Sequence, residues 1–149
     1  MEPQESKFTA PELRGNFQIA VNESRTASDD YRILFVDDEE GVRDLMTWVL
    51  TRAGYAVTAA ENGQKGLDLF QKSSFDLVLT DFSMPEMNGA ALAKKIKSLA
   101  PHVPVGIVTG HNPARMGRLL DLDMVDFVIH KPFRVEEVQE TVKRCLEAS

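Results

Sequence analysis

A single cysteine, Cys145, stands among 149 residues, so no disulfide can close within the chain. That usage fits a reducing compartment. No apolar run approaches the roughly 20 residues of a membrane-spanning helix, and no signal-peptide pattern opens the sequence. A cytoplasmic location without a membrane partner is expected. Basic residues are also in short supply: 17 Lys and Arg against 23 Asp and Glu leave a net charge of −6. This balance argues against direct DNA binding and says nothing about fold. Internal repeats and low-complexity tracts are missing too. What remains is an ordinary soluble profile, 43% hydrophobic and 27% charged, with length enough for one domain and a sizeable core.

Residues 1–30 differ from the rest. They are polar, with scattered apolar residues and no sustained period, and read as a flexible extension or linker with a short apolar piece at 17–21. From Tyr31 to Ser149 two kinds of segment alternate. "YRILFV", "YAVTAA", "FDLVLT", "VPVGIVT" and "VDFVIH" are short and rich in β-branched and aromatic residues. Most are too continuously apolar for half-exposed strands and suit strands buried on both faces. Between them, apolar residues recur at helical spacing: Val42, Leu45, Met46, Val49 and Leu50, then Leu92, Ile96 and Leu99, then Val135, Val138, Val142, Cys145 and Leu146. On that last stripe Cys145 reads as a small core residue, not a reactive thiol. Gly54 is expected to stop the first helix, and Asn112-Pro113 reads as a cap followed by proline at the first helical position. Five strands alternating with five helices imply right-handed βαβ units. The expected fold is a doubly wound five-stranded parallel sheet, (βα)5 and flavodoxin-like.

In such a sheet, function collects beyond the carboxyl ends of the strands. The first strand ends in Asp37-Asp38-Glu39-Glu40, the third in Asp81, the fourth in Thr109-Gly110 and the fifth in Lys131-Pro132-Phe133; the second ends in Ala59-Ala60. With strand order 2-1-3-4-5, the first and third strands lie about 4.8 Å apart, so Asp37, Asp38 and Asp81 crowd one pocket. Three carboxylates at such range need a counter-charge. Their oxygens suit a hard dication that keeps several waters, Mg²⁺ or Mn²⁺. Lys131 offers a point charge for a phosphoryl oxygen and Thr109 a hydroxyl, so one carboxylate could act as nucleophile toward phosphorus. Taken singly, each residue has a plainer role: a strand-end Asp is usually a cap, and Asp-Asp-Glu-Glu usually an acidic first turn. Their joint occurrence at the right strand ends is the signal.

The span from about Tyr31 to Glu147 resembles the receiver domain of two-component response regulators. "FVDDEEGVRDLM" is similar to the family's acidic pair, "LTDFSMPEMNG" to its phosphoacceptor segment, "IVTGH" to its switch threonine and "HKPF" to its lysine-proline signature. The resemblance implies Asp81 as phosphoacceptor, with Mg²⁺ held by Asp38, Asp81 and the backbone carbonyl of Ser83, and by Asp37 directly or through water. Lys131 would contact the phosphoryl group, Thr109 would move towards it, and the Lys131-Pro132 peptide would be cis. One departure stands out: three residues before the lysine the family usually places Tyr or Phe, whereas this chain has Val128, with Phe127 one residue off. The expected function is a phosphorylation-dependent signalling switch, not an enzyme, that takes part in its own phosphotransfer and slow self-dephosphorylation. Its donor would be a sensor histidine kinase or a histidine phosphotransfer protein. The downstream protein target is unknown, and phosphorylation-dependent homodimerisation stays open. No output domain is read in these residues.

Other readings are weaker. A phosphohydrolase would want a second acid or base near the nucleophile, and Ser83 is a poor one. A flavin module needs a phosphate cradle after the first strand, where Asp-Asp-Glu-Glu would repel phosphate. A scaffold that is never phosphorylated has no use for the complete acidic set with Lys131. His102 reads as a solvated loop residue and His130 as a strand-end residue. His111 reads as an exposed loop residue, with tuning of water attack as its alternative.

Overall fold

Short, continuously apolar runs that end in turn-forming residues leave the backbone little choice but buried strands. In the computed structural model, which describes residues 31–110 and 124–148, these runs form β1 (Arg32–Val36), β2 (Ala56–Ala60), β3 (Leu77–Asp81), β4 (Val105–Thr109) and β5 (Phe127–His130). They pair in parallel in the order β2-β1-β3-β4-β5. The expected doubly wound, flavodoxin-like sheet is therefore what the chain builds. β3 and β4 are buried along their whole length. β2, an edge strand, is partly open to solvent.

Four helices are described: α1 (Glu40–Arg52), α2 (Gly63–Lys72), α3 (Gly89–Leu99) and α4 (Val135–Ala148). Strand side chains alternate between two faces. Ile33, Phe35, Leu77, Leu79, Val108 and Ile129 point to one, where α1 and α4 pack with Met46, Val49, Leu50, Val138, Val142 and Leu146. Leu34, Val36, Val78 and Val105 point to the other, against Leu92, Ala93 and Ile96 of α3 and the partly buried Leu67 and Phe70 of α2. Asn62 and Asn88 cap α2 and α3 by accepting the N–H of Lys65 and Ala91, each at 2.8 Å. Gly54, at φ 100°, ends α1 as expected.

Two positions of the expected helical stripes are exposed, as is Trp48 outside them. Leu45 is 46% exposed and Leu99 51%. The seam that α1 buries is the narrower Met46-Val49-Leu50 stripe, and Leu45 lies one step around the helix. Leu99 sits on the last turn of α3. At the amino ends of the strands, Asp126 Oδ2 accepts from Lys97 Nζ (2.8 Å) and from the Val105 N–H (2.7 Å), while Lys97 also donates to the Val103 carbonyl. Among the described residues no helix is long and apolar enough to cross a membrane. The expected extension over residues 1–30, the helix start at Asn112-Pro113, and His111 lie outside the described residues.

Candidate functional site

Asp81 is the last residue of β3 and only 7% exposed. The chain leaves the strand under tight control. Phe82 N–H continues the ladder to the Val108 carbonyl (3.1 Å). Glu86 then turns at φ 70°, with the Met87 N–H donating to the Pro85 carbonyl (2.7 Å), a three-residue turn with its centre in the left-handed region. Gly89 N–H returns to the Phe82 carbonyl (2.8 Å). A Cβ on Gly89 would fall on the Asp81 carbonyl oxygen, and 3.0 Å from Phe82 Cα. Glycine therefore lets α3 start directly against the backbone of the acid. The proline-containing loop follows Asp81 directly, and Asp81 lines a cavity at this edge of the sheet.

Asp37 follows β1 and is fully buried. Its N–H donates to the Ala60 carbonyl (3.1 Å), and its Oδ1 accepts the Glu39 N–H (2.9 Å). Its Oδ2 has no hydrogen-bond partner. Asp38 beside it is exposed. Carboxylate oxygens of Asp37, Asp38 and Asp81 lie within 4.8 Å of one another. From the neck of β5, Lys131 Nζ reaches Asp81 Oδ1 at 3.2 Å and Asp37 Oδ2 at 3.9 Å. Lys131 is held there by its own N–H, which donates to the Thr109 carbonyl (2.7 Å), and the Lys131-Pro132 peptide is cis. A cavity of about 340 Å³ opens among Asp38, Asp81, Ser83, Thr109 and Lys131.

One lysine does not balance three acids. Asp37 is pushed up to about 6, foremost by burial; the Glu39 N–H pulls it back, Asp81 raises it further, and Lys131 opposes. Burial also raises Asp81, against the lowering pull of Lys131. A buried carboxylate oxygen without a donor, among like charges, is a poor arrangement unless a cation joins it. The donor set is all hard oxygen and fits Mg²⁺.

The structure thus brings together Asp37, Asp38, Asp81, Ser83, Thr109 and Lys131, all of them named from sequence. His102 and His130 are exposed. Phe127 and Val128 fall on opposite faces: Phe127 packs with the α1/α4 core and Val128 beside Phe82 and Ile107. Sequence reasoning missed Arg43, whose guanidinium donates to the Asp37 carbonyl at 2.8 Å. The available signal was spacing: an arginine six residues after Asp37, one turn into the following helix, is within reach of the loop's carbonyls.

A five-stranded parallel sheet with an acid cluster and a lysine at its carboxyl edge defines a class, and comparison with known proteins gives the family. The family model for the response regulator receiver domain matches residues 33–143. The chain belongs to that family. Relatives include the response regulator receiver protein CpdR of Brucella abortus, 30% identical over 118 residues spanning 79% of this chain and 98% of that protein. Sporulation initiation phosphotransferase F of Bacillus subtilis is 33% identical over 117 residues, 77% of this chain and 93% of that protein. Among solved structures, the response regulator protein TrrA from Thermotoga maritima, in complex with Mg²⁺-BeF, is 33% identical with a TM-score of 0.69, covering 76% of this chain and 97% of that one. Receiver domains are signalling domains of two-component systems, and phosphorylation and Mg²⁺ binding at an acidic pocket are typical of them.

Proposed function

We propose that this domain is a phosphorylation-dependent switch in which Asp81 accepts a phosphoryl group from the histidine of a sensor kinase or a histidine phosphotransfer protein. The observation that carries the reading is the Lys131 ammonium 3.2 Å from Asp81 within a cluster of three carboxylates. Asp37, Asp38, Asp81 and the Ser83 carbonyl would hold Mg²⁺, which when bound supplies positive charge against the phosphoryl oxygens. An Asp81 oxygen attacks phosphorus in line. The new P–O bond forms as the P–N bond to the donor histidine breaks, and the electron pair of that bond stays on the imidazole nitrogen. Lys131 exchanges its contact with the Asp81 carboxylate for one to a phosphoryl oxygen. Ser83, two residues on, is a weak acid and base, so hydrolysis of the acyl phosphate is slow.

Thr109 then moves towards the phosphoryl group, and the segment after it carries the signal to a downstream protein or to a second copy of the chain. Val128 is too small to act as an aromatic reporter. Phe127 lies across Gly106, where an added Cβ would collide with its ring, and it stays where it is. In this reading, residues 31–149 are the switch, residues 1–30 an extension dispensable for it, and the cytoplasm its location. The test is intact mass after incubation with acetyl phosphate and Mg²⁺. One phosphoryl adduct is expected, and an adduct that persists in Asp81→Asn would refute the assignment.

A further inference from the structure

We infer that Arg43 is a positioning residue for the acidic pair, acting through the main chain of the loop between β1 and α1. The inference rests on the reading of the cluster as a Mg²⁺-dependent phosphoacceptor site. Asp37 is held at three points: its N–H by the Ala60 carbonyl, its Oδ1 by the Glu39 N–H, and its carbonyl by the Arg43 guanidinium at 2.8 Å. The first two bonds are local to the sheet edge and the loop. The third comes from the first full turn of α1, where Arg43 is half-buried and its own N–H is fixed to the Glu39 carbonyl (3.0 Å).

The chosen atom matters. The bond goes to the Asp37 carbonyl and not to its carboxylate, so Arg43 does not consume an oxygen that a cation would use. The Asp37 carbonyl and the Asp38 N–H belong to one planar peptide unit. Fixing that plane sets ψ of Asp37 and φ of Asp38 together, and with them the directions in which both side chains leave the backbone. With Oδ1 committed to Glu39, Oδ2 of Asp37 is left aimed at Asp81 and Lys131 without a donor of its own. Arg43 also helps to hold the exposed Glu61 carboxylate below its ordinary range, after the larger effect of Lys65.

The test compares wild type with Arg43→Met, which keeps an unbranched apolar stem, and with Arg43→Gln, which stays polar but falls short of the carbonyl. The first readout needs no metal: solvent exchange of the Glu39 amide proton. It should quicken at least fivefold in either variant while β3 amides keep their rates. The second is Mg²⁺ affinity from amide shifts. It should weaken about tenfold in either variant. Unchanged Glu39 exchange, or unchanged Mg²⁺ affinity, would overturn the inference. Arg43→Gln takes the place of Arg43→Met if the latter does not fold. A wild type that binds no Mg²⁺ would overturn the reading of the site instead, and the Glu39 amide would still decide what Arg43 does.

Discussion

At the amino ends of the strands, Asp126 answers two donors, the Lys97 ammonium and the Val105 N–H, and Asp76 exchanges hydrogen bonds with the main chain of Arg32 at 2.8 Å in each direction. At the carboxyl ends, fully buried Asp37 keeps one oxygen without a donor, lies in a cluster with Asp38 and Asp81, and shares one lysine with Asp81. Both ends use the same residue types on the same scaffold. The difference is satisfaction: acids with donors ahead of the strands hold elements together, while acids short of donors beyond them make a demand that a cation meets. The demand lowers the stability of the metal-free protein, and the matched end helps to offset it.

The sharpest way to break this contrast is to remove a carboxylate from each end. Asp81→Asn should abolish phosphoryl incorporation from acetyl phosphate, read by intact mass, while the protein stays folded. Asp38→Ala should weaken Mg²⁺ binding tenfold or more in an amide-shift titration, and unchanged affinity would remove Asp38 from the ligand set. Asp126→Ala should do the reverse. It removes the acceptor of the Val105 N–H and the counter-charge of the Lys97 ammonium, which keeps only the Val103 carbonyl, costing about 2 kcal/mol in denaturant unfolding, with the rate of phosphorylation of the folded protein unaltered.

A smaller effect sharpens the comparison through pH. Asp37 titrates near 6 in the folded protein against 3.8 without the fold. Its folded state therefore binds the proton more tightly, and the stability tied to that proton is complete below about pH 4 and lost as pH rises through 6. Asp81 shifts in the same direction. The melting temperature without Mg²⁺ should fall between pH 5 and pH 7, and Asp37→Asn should flatten that fall. A wild-type profile no steeper than the variant's would refute the coupling. Least of all should come from deleting residues 1–28: phosphorylation rates are expected to change by less than tenfold, about 1.4 kcal/mol of barrier.

The site was legible because strand ends are legible. Each apolar run stops on a residue, and strand order then decides which of those residues meet; Asp37, Asp81, Thr109 and Lys131 needed nothing more. The opposed faces of Phe127 and Val128 followed from alternation along β5. What stayed hidden depends on contacts across distant sequence or on the size of a neighbour. Lys97 and Asp126 are 29 residues apart, and no local pattern joins them. Gly106 leaves the room that Phe127 fills because the two are register partners on β4 and β5, whereas a lone glycine in an apolar run suggests only a bulge or a close approach. Helical periodicity put Leu45 on a stripe of which only Met46, Val49 and Leu50 are buried, and spacing does not report how wide a face the neighbours cover.

The lysine that meets Asp81 arrives 50 positions later, on the last strand. During synthesis, chain elongation at about 5–20 residues per second therefore presents the three acids some seconds before Lys131. The nascent sheet carries its acidic edge without a cation until β5 docks. With Asp81 as the proposed phosphoacceptor, its reactivity would be tied by this order to completion of the sheet, and a chain stalled before residue 131 would carry the aspartate without the lysine that assists phosphorylation. A ribosome-bound fragment ending at residue 126, exposed to acetyl phosphate, should remain unmodified under conditions that label the full chain.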